Sequence, residues 1–269
     1  MMPIQLNNRA LLKISGSDAK SFLQNQLSND IEKLDEANIQ LSAYCQHQGK
    51  ILALFWVMRQ GDDFLLSFPS DLLETILPRL KMFVLMSDVV VEDISNEYTQ
   101  IGHIDTQLDN TYFINQRLSI EVIASADEGN YDSASQDAWT KACIETALPD
   151  VTQATAEKLV PQMLNLDIDE VGVNFSKGCY PGQEVVARLH YLGKAKRRLF
   201  RFSSNEPLAV GDSLYCESSK SAKASGVVVS QVKYKVEFLC LATLEVAHKD
   251  DFITLNSTDG ANLTRIEHE

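Results

Sequence analysis

The alternation of apolar and polar positions in the first hundred residues predicts short strands that are interrupted by two helices. Residues 39–45 alternate apolar and polar side chains, which is typical of a half-buried strand, whereas residues 51–58 are continuously apolar and predict a central strand. The predicted elements are, in order, strand 11–14, a helix through 19–27, strands 39–45, 51–58 and 64–68, a second helix that runs towards Leu85, and strand 89–91. Ser17 or Asp18 is the predicted N-cap of the first helix, and Ser70 or Asp71 that of the second. Pro78 is predicted to kink or split the second helix. This β-α-β-β-(β)-α-β order predicts an α+β fold of the ferredoxin-like, split βαβ type rather than a doubly wound sheet.

The chain changes from mixed helices and strands to short strands alone only in its last quarter. Strands are predicted at 98–104 and 118–124, and a helix from about Ser135 to Ala147. From Lys196 onward, turn residues separate short apolar segments at 199–202, 213–216, 226–232, 236–244 and 252–255, which predict a small β-barrel. We therefore predict two domains, an α+β part at 1–193 and a barrel at 194–269, and leave open a further division of the first part near 95–105.

Composition excludes several classes of protein. The 269 residues carry five cysteines with no C-x-x-C pair and no histidine at ligand spacing, which argues against a disulfide framework, a structural zinc ion or a protein-held Fe–S cluster. No glycine-rich phosphate loop occurs, so nucleotide binding of the Rossmann or P-loop type has no support. The N-terminal residues lack the pattern of a signal peptide, and the longest apolar run, 51–58, is far shorter than a membrane span. These features predict a cytoplasmic protein without membrane contact.

The charge is unevenly distributed. The net charge is −13, yet no acidic residue occurs between Glu184 and Glu206. Six basic residues fall in that interval and are called the basic stripe here: Arg188, Lys194, Lys196, Arg197, Arg198 and Arg201. The stripe is either a solvated basic linker or a contact for an anion such as a polyglutamyl tail, a phosphate or RNA. The overall negative charge argues against DNA binding and leaves RNA contact as a weaker alternative.

The most informative segment is Lys177-Gly178-Cys179-Tyr180-Pro181-Gly182-Gln183-Glu184, called the cysteine motif here. Pro181 and Gly182 suit the two central positions of a type II turn, and a helix is predicted to follow. The N-terminus of that helix and the neighbouring Lys177 would both favour the thiolate of Cys179. The alternative is a small buried thiol without reactivity.

The cysteine motif resembles the signature of YgfZ-type folate-binding proteins, which are relatives of the aminomethyltransferase (T-protein) of the glycine cleavage system. Residues 161–166, residues 14–27 and residues 196–199 resemble other parts of that family, although the segment at about 105–135 is abbreviated. The resemblance implies a folate-binding α+β portion around a central opening, followed by a β-barrel. It also implies a tetrahydrofolate-binding protein that supports assembly or repair of Fe–S clusters in client enzymes. These clients include the radical enzymes that thiomethylate tRNA, so the effect on tRNA would be indirect.

The resemblance also assigns individual residues. It makes Cys179 the functional, catalytic cysteine, places Trp139 against the folate, and aligns Glu145 with the glutamate that pairs with the pterin. The remaining residues that we predict to contact the folate are Lys177, Tyr180, Arg188 and Arg198. At Arg9 a relative has a second aromatic folate contact, so the source of that contact is open here. Each of three residues also has an alternative, structural interpretation. Trp139 would be a core residue, Glu145 a solvated residue of a helix, and Arg188 an ion-pair partner of Glu184 at i, i+4.

Three alternative functions stay open at this point. An aminomethyltransferase would need the catalytic aspartate that T-proteins place after the glycine turn, whereas residues 49–54 here contain no carboxylate. A cysteine hydrolase would need a base beside Cys179, but His190 lies about 16 Å away along a continuous helix, and His47 and His103 could approach only through the tertiary fold. A non-enzymatic adaptor would dock a client protein or RNA through the basic stripe. The favoured hypothesis requires an accessible Cys179 sulfur beside a cleft that accepts a pteridine.

Overall fold

A computed structural model of the chain describes residues 3–85, 87–106, 108–127, 136–219 and 223–267. The α-helices in these ranges are α1 (Ala19–Gln26), α2 (Leu73–Met82), α3 (Gln136–Glu145) and α4 (Gln183–Tyr191). The strands are β1 (Ile4–Gln5), β2 (Arg9–Ser15), β3 (Gln40–Cys45), β4 (Ile51–Gln60), β5 (Asp63–Pro69), β6 (Val90–Asp93), β7 (Tyr98–Ile104), β8 (Tyr112–Phe113), β9 (Leu118–Ala124), β10 (Arg197–Ser204), β11 (Ser213–Cys216), β12 (Gly226–Tyr234), β13 (Glu237–Glu245), β14 (Ile253–Leu255) and β15 (Asn262–Ile266).

The first sheet is antiparallel, with the strand order β3-β4-β5-β2-β6. Strand β2 lies between β5 and β6, which is the split βαβ arrangement that the sequence predicts, and β3 adds one further edge strand. Side chains of α1 and α2 pack on one face of this sheet, around Phe55 and Val57. The other face, which carries Leu54 and Trp56, packs into a second cluster with the rest of the molecule. Because both faces of β4 are buried, its sequence is continuously apolar rather than alternating.

The first helix of this sheet begins at the predicted residue, but the predicted capping contacts of both helices are absent, and α2 ends at Met82 rather than continuing to Leu85. Asp18 occupies the N-cap position of α1, but its side chain makes no capping hydrogen bond there and instead accepts one from the backbone N–H of Asp88 at 2.9 Å. Asp71 likewise accepts from the backbone N–H of Gln153 and does not cap α2. The helix α2 continues through Pro78 without splitting. The carboxylates of Asp18 and Asp71 thus bind backbone groups that are distant in sequence, which the local sequence does not indicate.

The second sheet has the order β1-β7-β9-β8 and is covered by α3. The predicted start of α3 at Ser135 lies outside the described residues, and the helix ends at Glu145, two residues before the predicted end. Ala147 adopts a φ of 53°, and the backbone N–H of Leu148 returns to the carbonyl of Cys143, so the chain leaves the helix through a left-handed residue. The short strands β1 and β8 carry too few residues for a pattern to predict them.

The C-terminal part is a closed barrel of six strands, in the order β10-β13-β12-β11-β14-β15. The barrel that the short apolar segments predict is therefore confirmed, and its first strand begins at Arg197, close to the predicted boundary. The last strand, β15, is absent from the prediction because its sequence, Asn262–Ile266, is largely polar. It pairs with both β10 and β14 and so closes the barrel.

Candidate functional site

A cavity of about 210 Å³ lies where the first sheet, helix α3 and the barrel meet. Its walls come from all three parts of the fold: Asn8, Arg9, Trp56, Pro69, Gln136, Trp139, Thr140, Cys143, Leu148, Pro149, Asp150, Thr152, Val210, Val229, Ser230 and Gln231. The resemblance implies a folate site around a central opening, and this cavity is our candidate for it. It is called the central cavity below.

Trp139 reaches the central cavity from α3 and is only 3% exposed. Its indole packs against Gly102 of β7, where an added Cβ would lie 2.6 Å from the ring. The ring centroid of Trp56 is 6.3 Å from that of Trp139, at an interplanar angle of 57°. Trp139 is thus a core residue that also lines the cavity, and its contact with folate stays a prediction.

Arg9 is the first residue of β2, and its side chain is 4% exposed. The guanidinium carbon lies 3.4 Å from the ring centroid of Trp56, a cation–π contact. Its Nε donates to Ser67 Oγ at 2.7 Å, and its Nη1 donates to Asp150. At this position, where a relative has a second aromatic group, this chain therefore has the buried guanidinium of Arg9. It is paired with Asp150 and stacks on the ring of Trp56. Trp56 lies within the continuously apolar run 51–58, so the hydrophobic pattern predicts a buried strand residue and does not indicate that it lines a cavity.

The cysteine motif forms the predicted type II turn. The backbone N–H of Gln183 donates to the carbonyl of Tyr180 at 3.1 Å, and Gly182 has φ 83° and ψ −2°. Helix α4 starts directly after the turn. The thiol of Cys179 precedes the turn and is exposed, whereas Cys45, Cys143, Cys216 and Cys240 are buried. An accessible sulfur is thus present at the predicted position.

Lys177 was expected to stabilise the thiolate of Cys179, but its ammonium binds main-chain carbonyls instead. Its ammonium is buried and donates to the main-chain carbonyls of Gln24, Leu27 and Asn29, at 2.6, 2.5 and 2.9 Å. Burial lowers the pKa of Lys177 to about 8. Tyr180 is also buried, which raises the pKa of its phenol, and its ring lies 5.4 Å from the Lys177 ammonium. Lys177 therefore ties the turn to the end of α1.

Glu145 lies away from the central cavity, although it is on the same helix as Trp139. Its carboxylate pairs with Lys141 and with Arg117, the latter at 3.3 Å. Burial opposes its ionisation, but these two cations outweigh burial and hold the pKa of Glu145 below its ordinary value. Of the six residues predicted to contact the folate, Trp139 alone lines this cavity, and its lining does not include Glu145, Lys177, Tyr180, Arg188 or Arg198.

The basic stripe divides into structural and exposed residues. Arg197 donates to the carbonyl of Ala224, and Arg201 donates to the carbonyls of Glu145 and Glu267. Arg198 donates to the carboxylate of Asp167 and to the carbonyl of Gln162. The exposed remainder consists of Arg188, Lys194 and Lys196. The side chain of Arg188 is 72% exposed, with its guanidinium 3.6 Å from Glu184.

Cys179 is not among the residues that line the central cavity, and its turn lies at the start of β4, whereas Trp56 is in the middle of that strand. The turn of the cysteine motif packs against the turn that precedes β4, since a Cβ on Gly182 would lie 2.5 Å from the carbonyl oxygen of Gln46. Trp56 lies five residues into that strand, roughly 17 Å from Ile51. The cysteine that does line the cavity is Cys143, and burial raises the pKa of its thiol to about 12. The accessible sulfur and the cavity are therefore two sites.

None of the described histidines is hydrogen-bonded to the Cys179 thiol. His190 stacks on Phe175 with ring centroids 3.7 Å apart, and His103 is buried with its Nε2 3.4 Å from Glu121. His47 is exposed in the turn before β4. This arrangement gives no support to the cysteine-hydrolase alternative.

Two general features of the described part of the chain bear on function. No cluster of three or more His, Cys, Asp or Glu side chains lies within reach of a common metal ion there. Over the same residues, every helix is too short or too polar to cross a bilayer.

Comparison with known proteins identifies relatives for nearly the whole chain. No protein-family model matches it. The chain is 29% identical to the tRNA-modifying protein YgfZ of Colwellia psychrerythraea, over 84% of this chain and 80% of the relative. It is 26% identical to the protein of the same name from Yersinia pestis, over 86% and 80% of the two chains. An uncharacterized protein of Haemophilus influenzae is 28% identical, over 85% and 84%.

The fold has a match among solved structures. The aminomethyltransferase T of the glycine cleavage system from Bartonella henselae superposes with a TM-score of 0.72 at 13% identity, covering 98% of this chain and 84% of that one. The chain therefore has the aminomethyltransferase-type α+β fold with a C-terminal β-barrel. With the sequence relatives, this confirms the resemblance stated above: the chain is a homologue of the proteins named tRNA-modifying protein YgfZ, with the fold of the glycine cleavage T-protein.

Proposed function

We propose that this chain is a YgfZ-type folate-binding protein that acts in the cytoplasm and supports the assembly or repair of Fe–S clusters in client enzymes. Through clients that thiomethylate tRNA it would act on tRNA modification indirectly. The observation that carries the proposal is the central cavity, which is walled by Trp56 and Trp139 and lies in a chain homologous to named tRNA-modifying proteins.

The central cavity suits one part of a folate better than the whole molecule. Pockets for drug-sized ligands measure roughly 300–1,000 Å³, so a cavity of about 210 Å³ fits a pterin ring, with the rest of the ligand outside. The indoles of Trp56 and Trp139 offer apolar surface to a flat ring. Arg9 lies at the same wall, with its guanidinium over the Trp56 ring. When bound, tetrahydrofolate would supply a carrier of one-carbon units.

Cys179 would act at a second site, on the surface, where its sulfur can meet a client protein. The position is supported by its exposure and by the turn that holds it. Three chemical roles are compatible with an exposed thiol: holding a sulfur or iron intermediate, accepting a one-carbon unit, or attacking a disulfide of the client to form a mixed disulfide with release of a client thiolate. The exposed residues Arg188, Lys194 and Lys196 follow in sequence and would meet an acidic client surface or the folate tail.

Aminomethyl transfer is the second candidate function, because the fold is that of an aminomethyltransferase. Against it stand residues 51–54, which occupy the position of the expected catalytic aspartate and are buried and apolar. General acid–base catalysis contributes roughly 100- to 10,000-fold, and that contribution has no candidate group in this stretch. Turnover of an aminomethylated carrier protein above background would favour this candidate instead.

Calorimetric titration of tetrahydrofolate tests the binding proposal. We expect wild type to bind in the micromolar range, about −8 kcal/mol, and Trp139→Ala to bind at least about 10-fold more weakly. Because Trp139 is a core residue, Trp139→Phe serves as the variant that keeps an aromatic ring and should retain most of the affinity.

Cys179→Ala is the matched control on the other site. Since Cys179 does not line the central cavity, its removal should leave the affinity unchanged. Equal affinity in wild type and a folded Trp139→Ala protein would remove the cavity from the folate site. Absence of tetrahydrofolate binding by wild type would overturn the proposal.

The role in tRNA modification is tested in bacteria that lack their own homologue. Thiomethylated nucleosides in tRNA should fall in such cells and be restored by wild type. Cys179→Ala protein should not restore them, although it still binds tetrahydrofolate. Full restoration by Cys179→Ala would show that the thiol is dispensable and would favour the adaptor alternative.

A further inference from the structure

The C-terminal end of helix α4 leaves two large side chains in solvent. Tyr191 is 66% exposed, and Leu192 is 84% exposed. His190 stacks on Phe175 with ring centroids 3.7 Å apart, and the ring of Tyr191 packs edge-on against both, at centroid distances of 4.8 and 5.9 Å. These four residues are called the α4 patch here. The three rings hold one another in place, so the patch presents a preformed aromatic and apolar surface.

Exposed cations lie next to the α4 patch. Arg188 is one helical turn before the patch, and Lys194 and Lys196 follow it. Glu184, 3.6 Å from Arg188, offsets part of that charge, but residues 185–205 include no acid. The whole chain has a net charge of −13. An acidic partner is therefore repelled by the molecule as a whole and attracted at this place, which would orient it on the patch.

The mixture of side chains favours a protein partner over RNA. Protein interfaces combine a core of aromatic and apolar side chains with a polar rim, and Tyr and Arg are enriched among the residues that contribute most to binding. Leu192 offers an aliphatic surface, whereas bases stack on aromatic rings. RNA also needs many cations to neutralise its phosphates, and a chain with a net charge of −13 repels it.

The thiol of Cys179 lies within the range of the same contact. Phe175 is four residues before Cys179, and four residues of chain span at most about 14 Å. A standard protein interface covers about 800 Å² on each partner, which corresponds to a disc of roughly 16 Å radius. A protein centred on the α4 patch can therefore extend to Cys179.

We propose that the α4 patch, with Arg188, Lys194 and Lys196 beside it, is the docking surface for a client protein, which binds through an apolar segment flanked by carboxylates. This inference rests on the proposed function and adds the place where the client binds. It puts Cys179 at the edge of that contact and involves no residue of the central cavity.

Leu192→Asp tests the docking surface, with Val236→Asp as the matched control. Val236 is 83% exposed in the turn between β12 and β13, so both substitutions replace an exposed apolar side chain and should leave the fold intact. The probe is a purified Fe–S enzyme that thiomethylates tRNA, from the same organism, with binding measured by biolayer interferometry. We expect Leu192→Asp to weaken binding at least about 10-fold, because it removes an apolar contact and adds a charge that repels carboxylates. Val236→Asp should bind as wild type does.

Three further readouts separate docking from folate binding. Raising the NaCl concentration from about 50 to about 500 mM should slow association of wild type with the client, because salt screens the attraction between opposite charges. Both variants should bind tetrahydrofolate with wild-type affinity, since neither residue lines the central cavity. In bacteria that lack their own homologue, Val236→Asp should restore thiomethylated nucleosides and Leu192→Asp should not.

No binding of the client by wild type, equal binding by wild type and Leu192→Asp, or equal loss in both variants would overturn the inference. The proposed function stands in each of these cases if wild type still restores thiomethylation in cells. Binding of purified tRNA that Leu192→Asp abolishes, without binding of the client, would make RNA the occupant and would also overturn the inference. Failure of wild type to restore thiomethylation would overturn the proposed function and this inference with it.

Discussion

At the scale of single residues, accessibility distinguishes one cysteine from the other four. Burial raises the pKa of the thiols of Cys45, Cys143 and Cys240 to about 12, and it also raises that of Cys216. Cys179 alone among the five is exposed. Since the thiolate is the nucleophile, burial and the raised pKa disfavour reaction at the other four thiols, whereas Cys179 is accessible.

We therefore expect native protein to take up one equivalent of iodoacetamide at pH 8, at Cys179. Peptide mass spectrometry after labelling reads the site directly, and Cys179→Ala protein should remain unlabelled over the same time. Unfolding in denaturant should expose the other four thiols. Native labelling at Cys143 ahead of Cys179 would contradict the structure at this motif.

Lys177 is the residue whose environment departs most from what the motif indicates. Local sequence places a lysine two residues before a cysteine and predicts an electrostatic effect on the thiol. The long side chain instead enters the fold and donates to the carbonyls of Gln24, Leu27 and Asn29. Those carbonyls lie about 150 positions earlier in the chain, so sequence alone gives no indication of them.

The lowered pKa of Lys177 makes a prediction about pH. Burial lowers the pKa of Lys177 in the folded protein to about 8, below the ordinary lysine value of 10.5. Between these values the unfolded chain binds one proton more than the folded protein, so stability rises with pH. The free energy of unfolding of wild type relative to Lys177→Met should increase from pH 8 to pH 10, by up to about 3 kcal/mol. Lys196→Met, at an exposed lysine, is the control and should show no such trend in denaturant titrations.

At the scale of elements, the turn of the cysteine motif is fixed by close contact with the turn before β4. Gly182 has a φ of 83°, and an added Cβ would meet the carbonyl oxygen of Gln46 at 2.5 Å and Gly49 Cα at 2.8 Å. Both features require glycine, because a left-handed conformation and a backbone contact each disfavour a side chain. Gly178, on the other side of Cys179, has open space around it.

Gly182→Ala should therefore destabilise the protein by at least about 2 kcal/mol, whereas Gly178→Ala should change stability by less than about 0.5 kcal/mol. Chemical denaturation of the two variants beside wild type measures both values. Similar effects of the two substitutions would mean that the turn is not held against β4.

The sequence predicts an element correctly where the residues that determine it are close together in the chain. The apolar run of β4, the alternation of β3 and the Pro181-Gly182 turn each follow from side-chain types within a few residues. The capping roles of Asp18 and Asp71 were wrong, because their carboxylates bind backbone groups about 70 to 80 positions away. The strand β15 was not predicted, because pairing with two neighbours, rather than apolar content, stabilises it.

At the scale of the whole molecule, the central cavity depends on the way that the two sheets and the barrel meet. Arg9, Trp56, Trp139 and Val229 come from four distant parts of the chain. The resemblance predicts that Trp139 contacts the folate and shows that Arg9 replaces an aromatic residue. No sequence pattern indicates that either residue lies beside Trp56. The same arrangement separates Cys179 from the cavity, which an inference from motif spacing could not foresee.

We propose that folate binds in the central cavity and that the thiol of Cys179 acts at a separate place on the surface. A crystal structure of the tetrahydrofolate complex tests this claim most directly. We predict the pterin ring in contact with Trp139 and Trp56. A pterin ring bound beside Glu145 and Arg117, or against the Cys179 turn, would contradict it.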